Sequence, residues 1–361
     1  MPPFGGYYRP FLCRGQHYAS RSCDAVPGFL TRRHIIVHTA PMRGIIISGS
    51  NNSFDADCDD GVLRRCSIKG KKLKTEEGFY NPLCPGDIVE LEADELNKKS
   101  GRISALVPRT NRFTRWNVKG RLPQLLAANV DLWLCLTTPD EPPFRPRFID
   151  RALAQAEEAG IEAVIVCNKR DLPSASNADV EMRLSDWEAL GYRIFKVSAH
   201  SGEGLTELAE LIEDKQCVLV GQSGVGKSSL INALDASYAL KTGELSEKYG
   251  RGTHTTVKGV LLRLHIKSSL TGGRQNVYTS VIDTPGVRRF VLHGIEPEDL
   301  ALYFREMKSL VGSCVFGMSC THKSEAGCKI LEAVHAGAIS EQRYESWLRI
   351  REELETGGWA D

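Results

Sequence analysis

Between residues 43 and 112 the apolar positions come in short runs, at 45–47, 62–66, 88–91 and 103–107, punctuated by Gly44, Gly61, Gly70, Pro85-Gly86 and Gly101. Runs this short between turn residues predict about five strands closing into a small barrel. Further along the pattern changes. Val164-Ile165-Val166-Cys167 and Cys217-Val218-Leu219-Val220 are unbroken apolar runs, as expected of strands buried on both faces of a parallel sheet, and shorter runs lie at 192–195 and 281–282. Leu230, Ile231 and Leu234 then follow helical spacing. Toward the end, Leu300, Leu302, Phe304 and Met307 predict a helix within 296–310. Ala333, Val334, Ile339, Tyr344, Trp347 and Leu348 predict one or two more over 330–355, with these apolar residues as their core faces. The expected organisation is multidomain, α/β plus β: an extension over 1–41, a barrel over 42–113, an α/β domain over 114–295 and a helical domain over 296–361.

The α/β region carries the chemistry. Residues 221–230, GQSGVGKSSL, have the form G-x-x-x-x-G-K-[ST] between a predicted strand and a predicted helix. In such a loop Gly221, Gln222, Ser223, Gly224, Val225 and Gly226 bring backbone N–H groups against phosphate oxygens. Lys227 reaches the β and γ oxygens, Ser228 ligates Mg²⁺, and Ser229 continues the contact at the helix start. Asn168-Lys169-Arg170-Asp171 ends another apolar run in the pattern N-K-x-D. The Asp171 carboxylate suits guanine N1–H and its exocyclic amine, which adenine does not offer, while the Lys169 stem packs along the base. This selects GTP over ATP. Ser198-Ala199, after the 192–195 run, suits the loop that backs the guanine.

Asp283-Thr284-Pro285-Gly286 closes an apolar run as D-x-x-G, with Asp283 acting on Mg²⁺ through water and the Gly286 N–H sensing the γ-phosphate. Between these elements lies GRGTHTT, 250–256, where a threonine hydroxyl completes the Mg²⁺ shell. Thr256 is assigned beside Ser228, with Thr255 as the alternative. The chain order is base reader, base-backing loop, P-loop, switch threonines, D-x-x-G. Ordinary GTPases place the P-loop first, so this domain is circularly permuted.

The chain resembles the circularly permuted GTPases and, within them, the RsgA (YjeQ) family of small-subunit ribosome biogenesis factors. The resemblance covers about 43–350 and rests on AANVD at 127–131, Asp150-Arg151, NKRD, GQSGVGKSSL, GRGTHTT, DTPG and a cysteine-histidine cluster near the end. It implies an OB-fold for the barrel. It also implies a GTPase that binds the nearly mature small ribosomal subunit through rRNA in its GTP form and leaves after hydrolysis. Position 287, where many GTPases carry a water-orienting glutamine, is valine. The resemblance suggests His254 for that work, beside Lys227 on the phosphates. Intrinsic turnover of such domains can be as low as about 10⁻⁴ per second, so a partner-stimulated enzyme is expected.

Cys314, Cys320, His322 and Cys328 supply three thiolates and one imidazole, a complete tetrahedral set for one structural zinc ion, with iron as the alternative metal. The first spacer is one residue longer than the usual family form. The eight other cysteines show no ligand spacing.

Charge adds a partner. Lys+Arg 46 against Asp+Glu 45 leaves a formal +1 overall, but 64–74 holds six basic residues and no acid. Residues 98–121 hold eight more, again acid-free, with Phe113 and Trp116 interleaved. Such a surface suits RNA phosphates and exposed bases. No run of about twenty apolar residues spans a membrane. Residues 1–41 carry five arginines and one aspartate, the composition either of an organelle transit peptide or of an extension preceding a true start at Met42. A cytoplasmic monomer is expected, or an organellar protein if the leader is a transit peptide. Two rival functions stay open: a permuted GTPase acting on another RNA, and a nucleotide-gated, zinc-containing RNA-binding protein with little hydrolysis.

Overall fold

The structure, a computed structural model, describes residues 41–50, 52–70, 73, 78–117, 120–238, 259–284 and 290–357. Five strands, β1 (Met42–Ser50), β2 (Ser53–Cys58), β3 (Leu63–Ile68), β4 (Ile88–Ala93) and β5 (Ser100–Leu106), close into a barrel in the order β1-β2-β3-β5-β4. Only β3 and β5 pair in parallel. Closure leaves no free edge, and the interior is filled by Ile46, Phe54, Ala56, Cys66, Val89, Leu91 and Ile103. The barrel strand that the apolar pattern did not predict is β2, whose Phe54, Ala56 and Cys58 face inward between aspartates. Alternation at period two, not a run, is what places it.

A hairpin of β6 (Arg112–Asn117) and β7 (Leu122–Ala128) follows. Phe113 on β6 is 0% exposed and packs with its ring 4.1 Å from that of Trp133 and 5.7 Å from that of Phe290. This corrects the expectation of a free aromatic at Phe113, because its apolar area contributes more in the core than on a wet surface. The basic segments are also thinned. Arg64 is buried in a two-pronged ion pair with Asp60, and the Arg109 side chain is buried against Asp87. Lys69 and Arg65 pair with Glu92 and Asp55 on the barrel surface.

The α/β unit has six strands in the order β10 (Arg193–Lys196), β9 (Glu162–Cys167), β8 (Leu132–Thr137), β11 (Gln216–Gly221), β13 (Tyr278–Asp283), β12 (Val260–His265). All neighbours are parallel except β12 with β13. Alternate residues feed two cores. Trp133, Cys135, Ile165, Val218 and Val220 point to the face carrying α1 (Pro146–Ala159) and α2 (Ala178–Ala189). Leu132, Leu134, Val164, Val166 and Leu219 point to that of α3 (Leu205–Ile212) and α4 (Lys227–Leu234). A proline at its first position starts α1, and Gly160 in the left-handed region stops it.

The C-terminal part contains a 3₁₀ turn, Leu300–Tyr303, two short helices, α5 (Arg305–Lys308) and α6 (Lys329–His335), and a 16-residue helix, α7 (Glu341–Thr356). The single helix expected within 296–310 is therefore two short turns, broken at Phe304, which is extended and fully buried. This part shares the α1-side core through Phe304, Met307, Ile330, Ile339 and Trp347. Among the described residues, no helix is long and apolar enough to cross a membrane.

Candidate functional site

Four strands of the parallel sheet end level with one another. Thr137 of β8 pairs with Cys167 of β9, Cys167 with Lys196 of β10, and Gly221 of β11 with Leu136. Beside them β13 ends at Asp283, paired with Leu219. Ligands of open parallel sheets sit beyond such carboxyl ends. The turns that leave this edge are the predicted motifs: 168–171, 198–199, 221–229 and the start of D-x-x-G.

The P-loop leaves β11 at Gly221 and turns into α4 at Lys227. Gly224 and Gly226 have φ of 87° and 94°, left-handed values that glycine adopts without strain. At Gly226 a side chain is also excluded sterically, since a Cβ would lie 2.3 Å from Asn168 Nδ2. Val225 is buried beneath the loop, and Gln222, Ser223, Ser228 and Ser229 stay partly or fully accessible on its outside. Lys227 Nζ donates back to the carbonyls of Gly221 (2.9 Å) and Gln222 (3.1 Å). Burial lowers its pKa, and the charge of Asp283 partly offsets this.

The turn at 168–171, expected to read the base, is tied to the loop at 221–226. Asn168 is 1% exposed; its Nδ2 donates to the Val225 carbonyl at 3.0 Å and its Oδ1 accepts from the Ala199 N–H at 3.0 Å. One amide therefore fixes the P-loop and the base-backing loop at once. Ser198 Oγ donates to Asp171 Oδ1 at 2.6 Å and accepts from the N–H groups of His200 and Ser201. The Ser198 bond holds the exposed Asp171 carboxyl below its ordinary pKa, ionised and oriented. Lys169 has φ of 61°, and its ammonium donates to the Glu141 carbonyl in the β8–α1 loop. Sequence reasoning missed that loop, which carries no nucleotide motif. Its Pro142 also lies beside Gly224.

Asp283 is the third component. Burial pushes its pKa up to about 6 against the opposing charge of Lys227, and among the described residues its Oδ1 meets no donor. The next residue, Thr284, anchors the turn by donating to the Leu219 carbonyl at 2.5 Å. A buried carboxylate oxygen without a partner, near a hydroxyl-bearing P-loop, fits a hard cation with oxygen ligands. His254, Thr255, Thr256 and Gly286 lie outside the described residues.

The four sulfur and nitrogen ligands expected near the C-terminus do converge. Cys314, Cys320, His322 and Cys328 are buried, with ligand atoms all within 4.8 Å of one another. Cys314 Sγ is 3.6 Å from His322 Nδ1 and 3.9 Å from Cys328 Sγ, which is 3.4 Å from the same nitrogen. A tetrahedron with Zn–S bonds of about 2.3 Å has edges of about 3.8 Å, so the cluster could hold a metal ion with little adjustment. A 3₁₀ turn, Gly317–Ser319, lies within the first spacer. The His322 backbone, at φ 57°, is held by Tyr344, whose hydroxyl donates to its carbonyl at 2.6 Å.

Comparison with known proteins accounts for the strand order. The family model described as RsgA GTPase matches residues 106–293. A relative from Borrelia recurrentis, named small ribosomal subunit biogenesis GTPase RsgA, is 36% identical over 310 residues, covering 86% of this chain and 93% of its own. The chain belongs to the RsgA GTPase family. The crystal structure of YjeQ from Thermotoga maritima aligns with a TM-score of 0.63 at 30% identity, over 87% of this chain and 99% of that one. YloQ, described as a circularly permuted GTPase, shares the fold at a TM-score of 0.62 and 23% identity, over 91% and 100%. The fold shared with YloQ agrees with the permuted order read from the motifs here. In this member the strand feeding the P-loop, β11, lies centrally between β8, made before it, and β13, made after it.

Family membership leaves one constellation to the structure alone. Asp150 of α1 is 1% exposed and accepts from Trp187 Nε1 at 2.8 Å, from Arg183 at 3.0 Å and from Arg343 of α7. Arg343 in turn donates to Glu306 at 2.7 Å and lies over the Phe304 ring. The adjacent Arg151 pairs with Glu353, also on α7. Asp150-Arg151 thus bolts the α/β unit to the C-terminal helices that carry the cysteine-histidine cluster.

Proposed function

We propose that this GTPase reads guanine with Asp171, binds the phosphates with the P-loop and Lys227, and works as a switch in late maturation of the small ribosomal subunit. The observation carrying the proposal is the pair of hydrogen bonds made by the Asn168 amide, which joins base-reading turn, base-backing loop and P-loop into one cradle. The subunit assignment follows the name borne by the relatives.

The binding chemistry follows from the side chains. Lys227 is pre-placed on the Gly221 and Gln222 carbonyls, and phosphate oxygens offer its charge a stronger acceptor than these neutral groups. Lys169 covers the base while tied to the Glu141 carbonyl. Ser228, Asp283 and one of Thr255 and Thr256 are the residues that would hold Mg²⁺, which neutralises charge developing on the phosphates when bound. With valine at 287, His254 holds the attacking water; since phosphoryl transfer depends on positioning, its role is orientation rather than formal base catalysis. Zinc at the Cys₃His cluster is structural, because the set is closed and leaves no open coordination position. The barrel and its basic surroundings contact rRNA, and the chain acts as a cytoplasmic monomer on the subunit.

GTP hydrolysis is measured with the protein alone, with purified small subunits and with large subunits, for the wild type and His254→Ala. Stimulation by small subunits only, lost in His254→Ala while GTP still binds, is the expected result. Equal, feeble rates in every arm would overturn the ribosome-coupled reading in favour of a nucleotide-gated RNA-binding protein.

A further inference from the structure

The β8–α1 loop, residues 138–145, is the part of the nucleotide cradle that no motif announces, and one buried hydroxyl shapes it. Prolines at 139, 142 and 143 remove N–H donors from the loop, so its carbonyls draw on side chains instead. Thr138 is 1% exposed, and its Oγ1 donates to the Pro142 carbonyl at 2.9 Å. That bond closes a turn around Glu141, which stands at φ 52° with its N–H on Asp140 Oδ1 at 2.8 Å. A left-handed backbone at a residue other than glycine persists only where its surroundings hold it. The Glu141 carbonyl, presented by this turn, accepts from the Lys169 ammonium. The start of the loop is pinned as well, since the Asn168 N–H donates to the Thr137 carbonyl at 2.9 Å. Pro142 flanks the P-loop, its Cδ 3.6 Å from where a Cβ at Gly224 would lie.

Lys169 is the residue whose stem covers the base, and a lysine left to itself samples many rotamers. A fixed acceptor for its ammonium selects one arrangement before nucleotide arrives, which lowers the entropy lost on binding. Lys227, by contrast, rests on the P-loop's own carbonyls, so the loop acts at the base end of the cradle. We propose that Thr138 is a positioning residue of the guanine site: its hydroxyl sets the turn that presents the Glu141 carbonyl, and that carbonyl holds Lys169 over the base and slows nucleotide release. This rests on the guanine reading above and gives a role to a residue outside every nucleotide motif.

The test follows release of methylanthraniloyl-GDP by stopped-flow fluorescence from the full chain as wild type, Thr138→Val, Thr138→Ser, Lys169→Ala and the double variant Thr138→Val/Lys169→Ala. GDP and ADP affinities of the wild type are measured alongside. Valine keeps the shape of the side chain and removes only the hydroxyl. Release should be about tenfold faster in Thr138→Val, the order expected for one lost hydrogen bond, and near the wild-type rate in Thr138→Ser. In the Lys169→Ala background Thr138→Val should add less than about twofold, because the side chain it positions is gone. Additive effects in the double variant, equal acceleration in Thr138→Val and Thr138→Ser, or a wild-type rate in Thr138→Val overturn the positioning role, while a wild-type preference for GDP over ADP leaves the guanine reading standing. Equal affinity for GDP and ADP overturns that reading and the positioning role with it.

Discussion

At the scale of single residues, the nucleotide cradle depends on groups that touch its loops rather than the ligand. Asn168 is the plainest case, because the motif containing it points to a base reader while its side chain is spent on the Val225 carbonyl and the Ala199 N–H. Asn168→Ala leaves both backbone groups unpaired at a buried site, which costs about 1–3 kcal/mol. Because it also frees both loops, GDP affinity should fall at least about tenfold, a loss of about 1.4 kcal/mol. Calorimetric titration and thermal unfolding of the variant check the two effects, and unchanged GDP affinity would count against the strut role. The N-K-x-D spacing was legible because it is local. The partner at Val225 was not, since the sequence separation of 57 carries no periodic signal.

Among elements, strands made of apolar runs were readable, and those that hide half their apolar positions were not. Four barrel strands announce themselves, while β2, with aspartates at alternate positions, is revealed only by inward-facing Phe54, Ala56 and Cys58. The reverse error occurred at β6, where a basic segment drew Phe113 to the surface in the sequence reading. Its pairing opposite Ala127 turns it into the core instead. The cysteine-histidine loop was legible because four ligands of two types at close spacing leave few alternatives. Its consequence for helix packing is testable. The His322 ring lies 6.1 Å from the Trp347 ring on α7, and Tyr344 bridges the same helix to the His322 backbone. Removing the metal with a strong chelator, or Cys328→Ser, should change Trp347 fluorescence and lower the melting temperature. Basal GTP binding should survive, since among the described residues no hydrogen bond or ion pair joins 221–229 to the cluster. A melting curve insensitive to chelation would argue against a structural ion.

For the molecule as a whole, the buried Asp150–Arg343–Glu306 chain decides whether the α/β unit and the C-terminal helices act as one body. These ions lie 193 residues apart in sequence, and only the fold shows that they meet. Breaking a buried pair strands a charge and typically costs about 3–5 kcal/mol. Asp150→Ala should therefore lower stability by that order and separate unfolding of the C-terminal helices from that of the sheet. Differential scanning calorimetry would read this as a second transition, whereas a single unshifted transition would refute the coupling. The central position of β11 also reaches beyond the finished fold. Synthesis runs from the barrel onward, so β8, β9 and β10 emerge before the strand that must lie beside β8 exists. Until residue 221 has left the ribosome, the apolar edge of β8 is uncovered and no phosphate loop is available. A nascent chain of this protein therefore has no phosphate loop while β8, β9 and β10 are being made, and the arrival of β11 completes the middle of the sheet and brings that loop in one step.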